Sequence, residues 1–284
     1  MIALPPIFVI SLPGSPRRNA IAGHLAHWRG RWDFIDAVNG YDLSRKELDA
    51  VYDVMLTRRA IGRSMSLPEI GCALSHRIAY ERILRDGLDS AIVLEDDAVL
   101  KDAFFRYPFE QIDFAFDVIS FYSRALVHAK PEPLGPVFAL HRAAGYAPYT
   151  VGYLVSARGA ARLHDATAMI SYEADWPIPP ERMDLFVCAE SLLEHSASDS
   201  TIEASRAALS ARPFHGPGSL REWITEGNMQ YLTVPLFIHY LLRRDSYLDA
   251  EDYFRREILY RARLMLPWRY RLLDHVVGSR TRRP

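Results

Sequence analysis

Apolar residues in the first 160 positions alternate between short continuous runs and helical periods. Ile7-Phe8-Val9-Ile10 is a continuous apolar run that stops at Ser11-Leu12-Pro13-Gly14-Ser15-Pro16, the pattern of a buried strand entering a turn. Over 17–28, Ile21, Leu25 and Trp28 recur at helical spacing, and 32–35 predicts a second strand before the turn pair Asn39-Gly40. Leu48, Val51 and Met55 share one helix face within 44–56, where Ser44 and Glu47 have the spacing of a capping box. The stretch 68–84 predicts another helix, with Gly87 just past its end. Ser90-Ala91-Ile92-Val93-Leu94 predicts a strand buried on both faces, 116–121 and 150–156 predict two more, and 157–163 a short helix. Strands alternating with helices from residue 6 to about 163 define an α/β domain with a largely parallel sheet.

The texture changes after Pro213. Residues 220–284 are rich in Tyr, Leu and Arg, and 254–273 predicts a helix interrupted at Pro267. From Arg261 to the end there are seven arginines and a single acid, Asp274. This divides the chain into an α/β domain over 1–215 and a helical C-terminal extension over 216–284. Arginines interleaved with Leu264, Leu266, Trp268, Tyr270 and Leu272 suit docking on an anionic membrane surface. A helical hairpin packed on the first domain, or on a second subunit, is the alternative.

With 284 residues, 49% hydrophobic and 24% charged, the composition is that of a soluble globular protein large enough for a full core. A net charge of −1 argues against a nucleic-acid binder. Cys72 and Cys188 lie far apart, which points away from a zinc site, a redox pair or a disulfide framework and toward two buried reduced thiols. The apolar N-terminus lacks a basic region and reads as a first strand rather than a signal peptide. No run reaches the ~20 apolar residues of a membrane span. A cytoplasmic protein is expected, with the tail offering peripheral contact to the inner membrane.

The chemistry concentrates at Glu95-Asp96-Asp97, directly after the most apolar strand. Adjacent carboxylates repel and raise one another's pKa, and a divalent cation with a taste for oxygen ligands removes that cost. Ligands of open α/β sheets bind at the carboxyl ends of strands, where this triplet falls. If extended geometry persists, Glu95 and Asp97 share one direction and Asp96 takes the other. A solvated turn whose acids cap the next helix is the competing reading.

Three blocks in order resemble glycosyltransferase family 25, the lipooligosaccharide galactosyltransferase type related to collagen galactosyltransferases. They are Phe8-Val9-Ile10-Ser11-Leu12 with Ser15-Pro16-Arg17-Arg18 and the segment from Phe34 to Gly40; Glu69-Ile70-Gly71-Cys72-Ala73-Leu74-Ser75-His76; and Ile92-Val93-Leu94-Glu95-Asp96-Asp97. The resemblance covers roughly residues 6 to 205. It implies a GT-A-like fold, an inverting transfer, a UDP-hexose donor and a divalent metal, Mn²⁺ before Mg²⁺. Carried onto this sequence, Asp97 is the expected metal ligand, and Asp96 with Glu95 lies on the donor diphosphate. Leu12, Arg17, Asp36 and Asn39 fall where uracil and ribose contacts are expected. Gly71, Ser75 and His76 open a helix whose N-terminus suits a phosphate or sugar. Arg17 as a solvated helix residue and His76 as a structural one are the alternatives.

An inverting transfer needs a base for the acceptor hydroxyl. The family's candidate is an Asp after the segment that reads Gly152-Tyr153-Leu154-Val155-Ser156 here. Asp175 fits, with Trp176 beside it to stack on a sugar, and Asp184 competes. His195 fits the late histidine that such enzymes supply to the metal. The expected activity is transfer of a hexose, galactose first, from a UDP-sugar to a cell-surface glycan or lipid-linked saccharide precursor. A metal-dependent phosphohydrolase and a non-catalytic nucleotide-sugar or glycan-binding protein are the other classes, and no nucleic acid is expected as partner.

Overall fold

The computed structural model describes residues 4–61, 63–122, 125, 127–134, 138–144, 147–179, 182–196 and 247–248. The strand expected to be buried on both faces is its centre. β3 (Ser90–Glu95) runs parallel to β1 (Ile7–Ser11), which runs parallel to β2 (Trp32–Asp36). Alternate residues of β1 and β3 feed two different cores. Ile7, Val9, Ile92 and Leu94 pack with Ile21 and Leu25 of α1 (Arg17–Leu25) and with Phe104 of α5 (Asp102–Arg106). Phe8, Ile10, Ala91 and Val93 pack with Ala79, Tyr80 and Ile83 of α4 (Leu67–Arg85) and with Ala160 and Leu163 of α6 (Ala157–Ala166). Helices therefore cover both faces, which is why these strands read as unbroken apolar runs. Each fully buried Ile, Val or Leu contributes roughly 1.5–3 kcal/mol by leaving water.

The remaining strands are β4 (Ala98–Leu100), β5 (Val118–Ser120), β6 (Val127–Leu134), β7 (Phe138–Ala143), β8 (Gly152–Ser156), β9 (Leu185–Cys188), β10 (Leu193–His195) and β11 (Tyr247–Leu248). Nine strands form one sheet in the order β11-β6-β7-β9-β5-β8-β3-β1-β2, and β10 pairs with β4 outside it. The sheet is mixed but less parallel than the alternating pattern implies. Only β2–β1–β3 and β5–β9 are parallel among the described pairings, and β8 lies antiparallel to both β3 and β5. The hairpin β6–β7 falls where the sequence offered no clear signal, partly because Pro131 and Pro133 in β6 argue against a strand.

Helix ends follow local chemistry. The expected capping box forms at Ser44 and Glu47, opening α2 (Arg45–Val51). The single helix expected over 44–56 is nevertheless two. Tyr52 is extended, and the Asp53 carboxylate accepts from the amides of Met55 and Leu56 at 2.7 and 2.9 Å, starting α3 (Val54–Ile61). A second capping box, Ser66 with Glu69, opens α4 one residue before Pro68. Most of the C-terminal extension, including 254–273, lies outside the described residues. Its described pair, Tyr247–Leu248, is a strand on β6 rather than helix.

Gly159 lets α6 begin against the sheet, because a Cβ there would stand 2.1 Å from the Asp117 carbonyl oxygen. Gly159→Ala is expected to destabilise the fold by roughly 1–3 kcal/mol through this overpacking. A lowered urea midpoint at unchanged slope is the check; an unchanged midpoint would contradict the contact.

Candidate active site

The end of β3 becomes a turn at Asp96 and Asp97, and that turn decides where the three carboxylates go. Extended geometry does not persist past Glu95, so Glu95 and Asp97 do not share a direction as alternation would have it. Glu95 stays on the α4 side. It accepts from the Thr150 hydroxyl at 2.7 Å and lies 3.3 Å from His76 Nε2. Asp96 turns toward β1, where the parallel register sets Ile10 beside Glu95 and brings Ser11 to hand. Its Oδ2 accepts from the Ser11 hydroxyl at 2.6 Å and from the Ser15 hydroxyl at 3.1 Å. Arg17 lies 3.4 Å from Asp96 and 3.6 Å from Asp97, so it is held at the site rather than solvated.

Asp97 meets the second sheet. Pairing of β4 with β10 puts His195 opposite Ala98, and His195 Nε2 lies 3.3 Å from Asp97 Oδ2. The amide of Ser196 also donates to the Asp97 carbonyl at 3.1 Å. The other carboxylate oxygen, Asp97 Oδ1, is buried and has no hydrogen-bond partner among the described residues. A carboxylate with one buried, unsatisfied oxygen and the other beside an imidazole is a donor set that a divalent cation would complete. The residues present fit the expected metal.

Other expected contacts take different positions. Leu12 is exposed just beyond β1. Asp36 ends β2 in register with Ser11 and pairs with Arg18, whose guanidinium also donates to the Ser11 carbonyl at 2.8 Å and lies over the Phe34 ring. Asn39 accepts from the Tyr41 amide and caps a short 3₁₀ turn. Gly71 and Ser75 do not present an anion site. A Cβ on Gly71 would stand 2.5 Å from the Val38 carbonyl, and the Ser75 hydroxyl accepts from the Val38 amide at 2.8 Å while donating to Gly71 at 2.6 Å. Both hold the loop carrying Asn39 against α4. His76 is buried, and its Nδ1 lies 2.8 Å from the Tyr153 hydroxyl, so it reaches the site through Glu95.

The two candidate bases separate cleanly. Asp175 lies 3.4 Å from the Thr150 hydroxyl, whose single proton is committed to Glu95 at 2.7 Å. This links Asp175 to the edge that carries the triplet. Glu173, two residues earlier, is paired to Arg63, which also grips the buried Glu69 of α4 at 2.6 Å. Asp184 stands at the opposite ends of the strands, beside Asp117 and the starts of β5 and β9. Burial works to raise its pKa, but hydrogen bonds from Arg142 and Arg158 outweigh that and hold it below the ordinary carboxylate value. Trp176 does not offer a sugar-stacking face. It is buried, donates its indole N–H to the Ala147 carbonyl at 2.7 Å and packs edge-on to Tyr153. Trp176 (φ 58°) and Tyr149 (φ 77°) are the left-handed non-glycine residues of the described chain, and they directly neighbour Asp175 and Thr150.

Ser11, Ser15, Thr150, Tyr153 and Arg63 had no assigned role in the sequence. The signal for Ser11 was available, since it ends β1 as the acids end β3. Thr150 and Arg63 join only through tertiary packing.

Residues 4–178 match the profile of glycosyltransferase family 25 (LPS biosynthesis protein), and the chain belongs to that family. Among curated relatives, procollagen galactosyltransferase 1 of Danio rerio is 30% identical over 169 residues, covering 55% of this chain and 28% of the relative. The inactive glycosyltransferase 25 family member 3 of Mus musculus is 29% identical over 168 residues, again 55% of this chain and 28% of the relative. The chain thus spans under a third of the length of these relatives. A solved structure, the mannose-1-phosphate geranyltransferase from Thermus thermophilus, is 10% identical with a TM-score of 0.39, over 67% of this chain and 74% of that one.

Because Asp184 titrates below its ordinary value, its stabilising effect is fully present above the unfolded carboxylate pKa of about 3.9. That contribution fades as pH falls through the lowered folded value. Asp184→Asn is therefore expected to lower stability near neutral pH and to flatten the acid limb of the stability profile, read by thermal melts between acid and neutral pH. An unchanged acid limb would deny the Arg142–Asp184–Arg158 linkage.

Proposed function

We propose that this chain is an inverting glycosyltransferase that moves a hexose, galactose first, from a UDP-sugar to a glycan or lipid-linked saccharide acceptor. Family membership supports the reaction class, and the galactosyltransferase relative supports the sugar. The observation that carries the reading is Asp97 just past the end of β3, with Oδ1 buried and unsatisfied among the described residues and Oδ2 3.3 Å from His195 Nε2. In this reading the domain has a GT-A-like layout, with the donor lying along the ends of β2, β1 and β3.

Asp97 and His195 would hold the divalent metal, Mn²⁺ first, which offsets the charge of the leaving diphosphate. Asp96 is oriented by Ser11, Ser15 and Arg17, and Arg17 adds its own positive charge where the phosphates would lie. Leu12, Asp36 and Asn39 would line the uridine. Asp175 takes the proton of the acceptor hydroxyl as that oxygen bonds to the anomeric carbon, and the sugar–phosphate bond breaks to release UDP. Glu95 and Thr150 set the position of Asp175. Lipid-linked acceptors would be met at the cytoplasmic face of the inner membrane, where the Arg-rich tail would contribute.

The named inactive relative keeps a second reading open: a nucleotide-sugar or glycan-binding protein with no turnover. UDP release with Mn²⁺, measured with and without a saccharide acceptor, separates the two. Acceptor-dependent release is expected; donor binding with no release would favour the binding protein, and release without acceptor would mean hydrolysis. Asp175→Asn is expected to cut turnover about 10²–10⁴-fold while donor still binds. Asp97→Asn should abolish metal-dependent donor binding. Normal turnover in Asp175→Asn would remove it as the base.

Sedimentation with anionic liposomes tests the tail. Replacing Arg269, Arg271, Arg280, Arg282 and Arg283 by glutamine should release the chain from vesicles, with no change for neutral vesicles. Equal binding by both forms would place membrane contact elsewhere.

A further inference from the structure

Cys72 and His76 stand one turn apart on α4, on the same helix face, and Glu95 reaches them from the end of β3. A thiol sulfur, a ring nitrogen and a carboxylate oxygen from these residues all lie within 4.8 Å of one another. This is the one such group of three or more His, Cys, Asp and Glu ligands among the described residues. Sulfur, imidazole and carboxylate together suit zinc-class ions, whereas Mg²⁺ and Mn²⁺ favour oxygen. Donors around a tetrahedral zinc stand roughly 3.5 Å apart, so a small side-chain rotation would close the set.

The support behind His76 is built as well. Nδ1 lies 2.8 Å from the Tyr153 hydroxyl, and Tyr153 donates onward to the Tyr80 hydroxyl at 3.1 Å. With the Tyr153 proton directed to Tyr80, the Tyr153 oxygen accepts from Nδ1–H. Nε2 is then a bare lone pair, 3.3 Å from Glu95 Oε1. Two acceptors face each other there, and a cation on Nε2 reconciles them, with the second nitrogen's hydrogen bond fixing the ring as in metal-ligating histidines. If the chain of hydrogen bonds runs the other way, Nε2–H simply donates to Glu95. The Cys72 thiol beside the pair is what points to the metal form.

We propose that Cys72, His76 and Glu95 form a soft divalent-metal site of the zinc class, separate from Asp97 and His195, with a fourth position open to water. The thiol releases its proton to solvent as the ion binds. Glu95 is shared with Thr150 and so joins this site to the segment that carries Asp175. The proposal concerns metal binding and stands whether or not the chain transfers sugar.

The full chain, stripped with a chelator and titrated with Co²⁺ as a spectroscopic stand-in for zinc, is the test. A thiolate-to-cobalt charge-transfer band saturating at one ion per chain is expected, removed by Zn²⁺. The band should vanish in Cys72→Ser and Cys72→Ala, persist in Cys188→Ser and Asp97→Asn, and need about tenfold more Co²⁺ in Tyr153→Phe. In the unsubstituted protein, Zn²⁺ should slow alkylation of Cys72, followed by peptide mass. No band at saturating Co²⁺, a band surviving in folded Cys72→Ser, a band lost in Asp97→Asn, or Cys72 alkylation indifferent to Zn²⁺ would each overturn the proposal.

Discussion

Ala91, Ile92, Val93 and Leu94 lose all contact with water, and the next three residues are acids. A strand that emerges from two apolar cores cannot carry bare carboxylates alongside one another without partners to offset their repulsion. The chain resolves this by turning at Asp96–Asp97 and sending each acid to a different neighbour. Glu95 goes to Thr150 and His76, Asp96 to the Ser11 and Ser15 hydroxyls, and Asp97 to His195. Each neighbour comes from a different element, so β1, α4, β10 and the segment before β8 are all organised around the end of one strand. Within the triplet, Asp97 keeps a buried oxygen with no hydrogen-bond partner among the described residues.

That distribution separates roles within the triplet. Asp96 is fixed by neutral hydroxyls and one arginine, which aim it without neutralising the whole group. Asp97 keeps one buried oxygen unsatisfied among the described residues, and Glu95 faces inward toward a histidine–tyrosine–tyrosine chain. The same topology keeps a second acidic cluster, Asp117 with Asp184, at the opposite ends of the strands, ion-paired with Arg142, Arg158 and Arg162. Proximity in sequence thus says little about shared chemistry: Asp175 and Asp184 are nine positions apart and serve opposite ends of the fold.

Much of the first half was legible because its strands are buried on both faces and announce themselves as apolar runs. Ile7–Ser11, Ser90–Glu95 and Gly152–Ser156 stand close to where periodicity put them, and Ser44 with Glu47 caps a helix as expected. The break at Tyr52 was hidden because Asp53 acts by competing for backbone amides, which a hydrophobic pattern does not register. The direction of β8 was hidden too, since alternation of strands and helices implies parallel crossovers and the chain reverses here. At the site, the acidic block was visible as residue types directly after a buried strand, whereas His195 was expected only through the resemblance; the fold sets it 3.3 Å from Asp97. Gly71, Ser75 and Trp176 misled because small residues and indoles serve close packing as readily as ligands. Thr150 had no signal of its own, since its role exists only once β8 lies beside β3.

Among the described residues, strand β6 is the far member of the sheet apart from the two-residue strand β11, which pairs with Val127 and His128. Beyond that pair, Pro131 and Pro133 remove two backbone donors from the strand. An open strand invites another chain to add itself, and proline on the outer strand is a recognised defence against it. Tyr247–Leu248 and the two prolines therefore divide the guarding of one border between them. Shortening the protein before Tyr247 would uncover the part of β6 that has no proline, so self-association of such a fragment would follow from a lost border strand and not from any change at the carboxylates.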